Sequence, residues 1–285
     1  IDKEWMALQE KENKREPIRK EGIEKELWIW RDAEPNHKYI MGVDVSTGQS
    51  DDFSAFSVIC LDCEEGEEQV AEYYGKMPPD ELASFVWIIG RRYNAYVVID
   101  ITGGVGLPTS LKLKEMGYGQ LHYPNGDTNK NPGFNIDSNR RIVVSELEES
   151  VRTNRVKIRS ERAIAEMTTF IFRNGRPDHM VGYHDDILWS LGMGLYVANT
   201  TFREIEKNKN KSAAIIDSWT TNTSVNKNID DIKPQAEKFN SSTSYATTNP
   251  NNNPKFPDPM QPFRPMTPNG MEQYKQHGWL FGKMY

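Results

Sequence analysis

Three short segments each end a candidate element in an aspartate: Ile40-Met41-Gly42-Val43-Asp44, Val97-Val98-Ile99-Asp100, and His184-Asp185-Asp186 ahead of an apolar helical run. Carboxylates are hard oxygen donors, and several converging on one point hold divalent cations of the kind used in phosphodiester hydrolysis. Each acid also has an ordinary explanation. Asp44 stands before Ser46-Thr47-Gly48 and suits a turn. Asp185-Asp186 suits the first turn of a helix, where carboxylates cap free N–H groups and meet the positive end of the dipole. Asp100 resists such a reading, because a charge inside a β-branched run must be paired or coordinated.

The elements that would position these acids follow from periodicity. Residues 39–45, 53–61 and 69–74 read as three strands joined by short polar links, an antiparallel meander. Pro78-Pro79-Asp80-Glu81 opens a helix in which Leu82, Phe85, Val86 and Ile89 recur at helical spacing. Residues 96–101 form a nearly continuous β-branched run, the pattern of a strand buried on both faces. Beyond Thr102-Gly103-Gly104-Val105-Gly106 the spacing predicts a helix to about Met116 and a loop over 124–136. It predicts a further helix over 138–153 with Ile142, Val143, Leu147 and Val151 on one side, a small strand at 156–158, a helix over 162–172, and a last one to about Asn199. The order β-β-β-α-β-α describes a ribonuclease H-like α/β fold. Its mixed central sheet has three antiparallel strands and then parallel ones, flanked by helices, and Asp44 and Asp100 face each other across adjacent central strands.

Residues 1–37, charged and lysine-rich before Leu27-Trp28-Ile29-Trp30, read as an N-terminal connecting arm whose tryptophans dock on the domain at 38–204. Residues 205–285 turn to Asn, Thr, Ser, Lys and Pro without a sustained period and are expected to be largely disordered. The formal charge of -6 argues against a histone-like binder but not against a nuclease, since basic residues can cluster locally. No apolar run approaches the ~20 residues of a spanning helix, so a soluble, intracellular protein is expected, and an opening Ile suggests a piece of a longer chain. Cys60 and Cys63 lack the second pair that a zinc site needs and are expected to be reduced.

Leu27-Trp28-Ile29-Trp30, the segment Gly42 to Gly48, Asp52-Phe53-Ser54 and above all Gly182-Tyr183-His184-Asp185-Asp186 resemble the nuclease domain of large terminase subunits, the DNA-packaging motors of tailed bacteriophages, of the T-even-like myovirus type. The likeness covers roughly residues 27–200. It implies a metal-dependent endonuclease that cuts concatemeric viral DNA, with Asp44, Asp100 and Asp186 as the main acidic triad and Asp52 and Asp185 as nearby support. Some members of that family carry Glu where Asp100 stands. Expected cofactors are two Mg2+ or Mn2+ ions. Expected partners are double-stranded viral DNA, an ATPase domain of the same polypeptide, the portal and the small terminase subunit. The expected location is the host cytoplasm, transiently on the procapsid portal and not in the mature virion. No G-x-x-x-x-G-K-[ST] occurs, so the ATPase half is absent from this sequence.

Lys130, Arg140, Arg141, Arg173 and Arg176 stand in or beside predicted loops and are candidate phosphate contacts. His184 is a candidate for orienting a phosphate or a ligand carboxylate. Two rivals share parts of this pattern. Actin-like ATPases and sugar kinases use the same core with a phosphate loop that Asp44-Val45-Ser46-Thr47-Gly48 approximates, but they enclose ATP between two such domains. A non-catalytic DNA- or portal-binding module is the other. Between Asp185 and Asp186, a helical wheel favours the first as ligand, whereas the resemblance favours the second.

Overall fold

The computed structural model describes residues 1–49, 52–173 and 175–202. In chain order its principal elements are α1 (Lys3–Leu8), β1 (Arg19–Glu21), β2 (Leu27–Ile29), β3 (Tyr39–Asp44), β4 (Ser54–Cys63), β5 (Gly66–Gly75), α2 (Pro79–Tyr93), β6 (Tyr96–Ile99), α3 (Leu107–Glu115), α4 (Ile136–Arg152), β7 (Val156–Lys157), α5 (Glu161–Thr169), β8 (Phe170–Arg173), β9 (Arg176–His179) and α6 (Asp186–Val197). Seven strands make one sheet in the order β1-β2-β5-β4-β3-β6, with β7 also on β5. Within it β3, β4 and β5 are antiparallel, whereas β6 runs parallel to β3 and β7 parallel to β5.

The two faces of the sheet are told apart by alternation along the strands. Val43 pairs with Phe56, and Phe56 stacks with Tyr73 and meets Phe85 of α2, so that face is covered by α2. Ile40, Gly42, Asp44, Ala55, Ser57, Glu72 and Tyr74 point the other way, toward α6 and the helices packed around it. From Ile187 to Leu195 every residue of α6 is buried. Such a helix carries no polar stripe because the sheet covers one side and α4 and α5 the others. Burying its Leu, Ile, Trp and Met side chains contributes roughly 1.5–3 kcal/mol each, a reserve that offsets the cost of crowding acids at its N-terminus.

The structure differs from the sequence reading at several places. Residues 1–37 are more than a connecting arm. β2 pairs antiparallel with β5, β1 continues the sheet beyond it, and Met6 of α1 joins the core. A free edge at β5 would expose unpaired backbone, and these strands cover it. The helix predicted over 162–172 stops at Thr169, because Phe170–Arg173 turns back as a hairpin with Arg176–His179. On α4 the buried positions include Val144 rather than Ile142, which is 54% exposed. Cys60 and Cys63, expected to be reduced, form a disulfide across a register shift between β4 and β5. The expectation of a disordered tail over 205–285 lies outside the described residues.

Candidate active site

The first two acids are brought together by strand register. Val43 pairs with Ile99 across the parallel β3/β6 pair, so Asp44 and Asp100 stand one residue further along on both strands, and the Asp100 N–H donates to the Val43 carbonyl at 2.9 Å. Asp100 is held by the turn that follows it. Its Oδ1 accepts from the Thr102 N–H at 2.9 Å and from the Thr102 hydroxyl, which itself accepts from the Ile136 N–H at 2.8 Å. This turn is tight enough that a Cβ on Gly106 would lie 1.9 Å from the Asp100 carbonyl oxygen.

The third acid arrives by helix packing. A Cβ on Gly42 would lie 2.0 Å from the carbonyl oxygen of Ser190, so α6 rests its main chain directly on β3 at this glycine. Ser57 and Ser190 hydroxyls meet beside the contact at 2.8 Å. From there Asp44 is two residues along the strand on the same face, an advance of about 6.6 Å. Asp186 is one turn back along the helix from Ser190, an advance of about 6 Å at 1.5 Å per residue. Nearly equal steps from one contact place the two carboxylates side by side.

Electrostatics agree with this geometry. Withdrawal from water raises Asp44 well above the ordinary carboxylate range, and the charges of Asp186, Asp100, Asp185 and Glu166 raise it further. Burial pushes Asp186 up to about 7, assisted by Asp185 and Asp52. Asp100 is raised by burial too, and its bonds from Thr102 oppose the rise. Clustered acids resist ionisation together and are relieved by a cation. The donor set fits one. Among the described residues, the Oδ2 of Asp186 is buried without a hydrogen-bond partner, and the three hydrogen bonds to the Asp100 carboxylate all fall on its Oδ1.

The remaining predicted residues fall around this centre. Asp185 is the N-cap of α6 by position, yet its side chain makes no capping bond and faces His179 Nδ1 at 3.2 Å. Asp52 is exposed and near enough to act on Asp186. His184 packs edge-on against Phe53, which stacks on Tyr74, and its Nδ1 lies 3.8 Å from Asp186 Oδ2, beyond hydrogen-bond reach. Four of the five candidate phosphate contacts gather about the β8/β9 hairpin, whose end reaches Asp185 through His179. Arg173 donates to the His179 carbonyl, Arg141 to that of Gly175, and Arg176 to Asp137. Arg140 folds over Trp189 at 4.5 Å and donates to the Pro177 carbonyl, so it ties α4 to the hairpin. Lys130 is not on the hairpin; it is exposed in the segment between Tyr123 and Ile136.

Searched by sequence, the chain matches no protein-family model and no curated protein. Solved structures do resemble it. The large terminase nuclease from thermophilic phage G20c with bound magnesium matches with a TM-score of 0.53 at 21% identity, covering 67% of this chain and 94% of that one. Its cobalt-bound form gives 0.51 at 20% identity, over 67% and 95%. The large terminase nuclease domain of Thermus phage P74-26 gives 0.50 at 19%, over 67% and 93%. The fold is that of the ribonuclease H-like terminase nucleases.

Two residues beside the acids were not picked out from the sequence. His179 carries no local signal at all. Glu166 carries a weak one: Ala163, Met167 and Phe170 line the buried face of its segment, and Glu166 falls in that stripe, a charge where the period calls for an apolar residue. It is buried, its Oε2 accepts from the Leu188 N–H at 2.8 Å, and burial with the nearby Asp186 charge raises it well above the usual range.

Proposed function

We propose that this chain is a metal-dependent endonuclease acting on double-stranded viral DNA during genome packaging, the nuclease part of a large terminase of the T-even-like myovirus type. The observation that carries this reading is the meeting of Asp44, Asp100 and Asp186 at three element ends, with a buried oxygen on Asp186 that has no hydrogen-bond partner among the described residues. Asp44, Asp100 and Asp186 hold two Mg2+ or Mn2+ ions, with Asp185 and Asp52 in support. Bound ions supply a lowered pKa for the attacking water and stabilisation of the departing 3′ oxygen. The chain's own part is to fix these carboxylates on rigid elements, so that little reorganisation is needed when substrate arrives. Asp100 is locked by Thr102, Asp44 by the β3 ladder and Asp186 by the seat of α6 on Gly42.

DNA is held through its phosphates by Arg141, Arg173, Arg176 and Lys130, with Arg140 bracing the hairpin that carries two of them. A packaging nuclease cuts with little sequence preference, and such contacts carry none. The ATPase domain of the full-length polypeptide, the portal and the small terminase subunit are its partners. It works in the host cytoplasm, transiently at the procapsid portal, and is left behind by the mature virion. The test is nicking of supercoiled plasmid with Mg2+, Mn2+ and excess EDTA. Nicking with either ion and none with EDTA is expected. Its absence under all three conditions overturns the reading in favour of a binding module.

A further inference from the structure

Helix α6 is capped from outside. Its N-cap residue by position is Asp185, with φ -140 and ψ 17, a residue type whose side chain at an N-cap ordinarily accepts the N–H of the second or third helical residue. Here it does not. The third residue, Leu188, gives its N–H to Glu166 Oε2 at 2.8 Å, from a different helix and 22 residues earlier in the chain. Glu166 is 8% exposed, near the end of α5. That helix is itself anchored, since Ser160 accepts from the Ala163 N–H and donates to the buried Glu72. A fixed carboxylate thus occupies the amide, and Asp185 turns toward His179 and the acidic centre.

We infer that Glu166 is a positioning residue: by taking the Leu188 amide it prevents Asp185 from capping its own helix and keeps that carboxylate beside Asp186 for metal support. The inference rests on the nuclease reading and adds a residue to it. Without Glu166, the vacant N–H and the positive end of the α6 dipole draw Asp185 inward, at the expense of the ion. An outer partner that orients a ligand carboxylate typically changes metal affinity by about 10- to 100-fold.

The experiment uses the full 285-residue chain and two readouts, calorimetric Mn2+ binding and the Mn2+ concentration giving half-maximal plasmid nicking, with thermal melting as the check on folding. Glu166→Gln keeps an oxygen that accepts from Leu188 and is expected to bind Mn2+ within about twofold of the parent. Glu166→Ala is expected to weaken binding about tenfold, with nicking at saturating Mn2+ reduced far less. In an Asp185→Ala background the same Glu166→Ala change is expected to have little further effect on binding, because the two act through one interaction. Loss of Mn2+ affinity in a folded Glu166→Gln protein would make Glu166 a ligand and overturn the positioning role. So would unchanged affinity in Glu166→Ala, or full additivity with Asp185→Ala. If Glu166→Ala does not fold, Glu166→Met, which fills a similar space without an acceptor for the Leu188 N–H, replaces it in the same comparisons. A parent that binds Mn2+ but never nicks DNA would refute the nuclease reading alone and leave the capping test standing.

Discussion

Glu72 and Asp44 lie on the same face of the same sheet, on strands separated only by β4, and their surroundings are opposites. Glu72 is fully buried and met by donors: Arg162 Nε at 2.8 Å, Gln69 Nε2 at 2.9 Å and the Ser160 hydroxyl at 3.0 Å. Asp44 keeps some exposure and is met by the charges of four other acids. Burial raises both carboxyls, but at Glu72 Arg162, Ser160 and Gln69 pull the value back down, whereas at Asp44 the four neighbouring acids push it higher. A carboxylate wrapped in donors is finished when the chain folds. One crowded by carboxylates keeps a like-charge conflict that an opposite charge would relieve.

That contrast can be broken most sharply by removing the acids one at a time. Asp44→Ala is expected to bring metal-dependent plasmid nicking down to background while the melting temperature stays the same or rises, since a like-charge contact is relieved. Glu72→Ala is expected to do the reverse in its main effect. It strands the Arg162 guanidinium in a largely buried place and costs about 3 kcal/mol in urea unfolding. If Asp44→Ala unfolds the chain and Glu72→Ala is harmless, the two roles have been assigned the wrong way round.

A smaller effect separates the paired acids of α6. Asp186→Asn is expected to reduce nicking by at least about 100-fold, and Asp185→Asn by clearly less than about tenfold, because of the two only Asp186 has a buried oxygen without a hydrogen-bond partner among the described residues. The opposite ranking, measured at saturating Mg2+, would move the ligand role to Asp185.

The pH dependence follows from the direction of the shifts. Asp186 titrates at about 7 in the folded chain without metal, against an ordinary value near 4 when unfolded. The folded state therefore binds more protons between those values. Its contribution to stability is fully present below about pH 4 and is lost as pH rises through about 7. Metal-free protein is expected to melt at lower temperature at pH 8 than at pH 5, and Mg2+ to restore the loss at pH 8. Because binding displaces the proton, calorimetry at pH 6.5 in buffers of different ionisation enthalpy should register proton release. A melting temperature that rises from pH 5 to 8 without metal would contradict the crowding of acids at this centre.

Much of this arrangement was legible in the sequence, for identifiable reasons. The runs ending at Asp44 and Asp100 are short, apolar and bounded by turn residues, so both strands, each with an aspartate at its end, could be read from pattern, while the grouping of these acids with Asp186 came from the family resemblance. α2 announced itself through Pro78-Pro79 and a clean apolar stripe. The edge strands β1 and β2 did not, since three-residue strands among Lys, Arg and Glu have no period to read and owe their form to pairing with β5. The hairpin at 170–179 was hidden because Phe170-Ile171-Phe172 satisfies a helical stripe as well as a strand. Glu166 was hidden for a deeper reason: which amide it would meet depends on where a helix 20 residues later comes to rest.

The seat of α6 on Gly42 bears on how such a centre can vary. Distances between ligands are commonly adjustable, because rotamers shift and a longer or shorter side chain takes up slack. Here the interval between Asp44 and Asp186 is fixed by main chain lying against main chain, with no side chain in the gap to trim or extend. Retuning it requires the whole helix to slide, and α6 is gripped by the sheet on one side and by α4 on another, where a Cβ on Gly192 would lie 2.9 Å from a Val143 methyl. The separation of these two acids is accordingly a property of the scaffold, inherited with the fold and insensitive to drift at the surface.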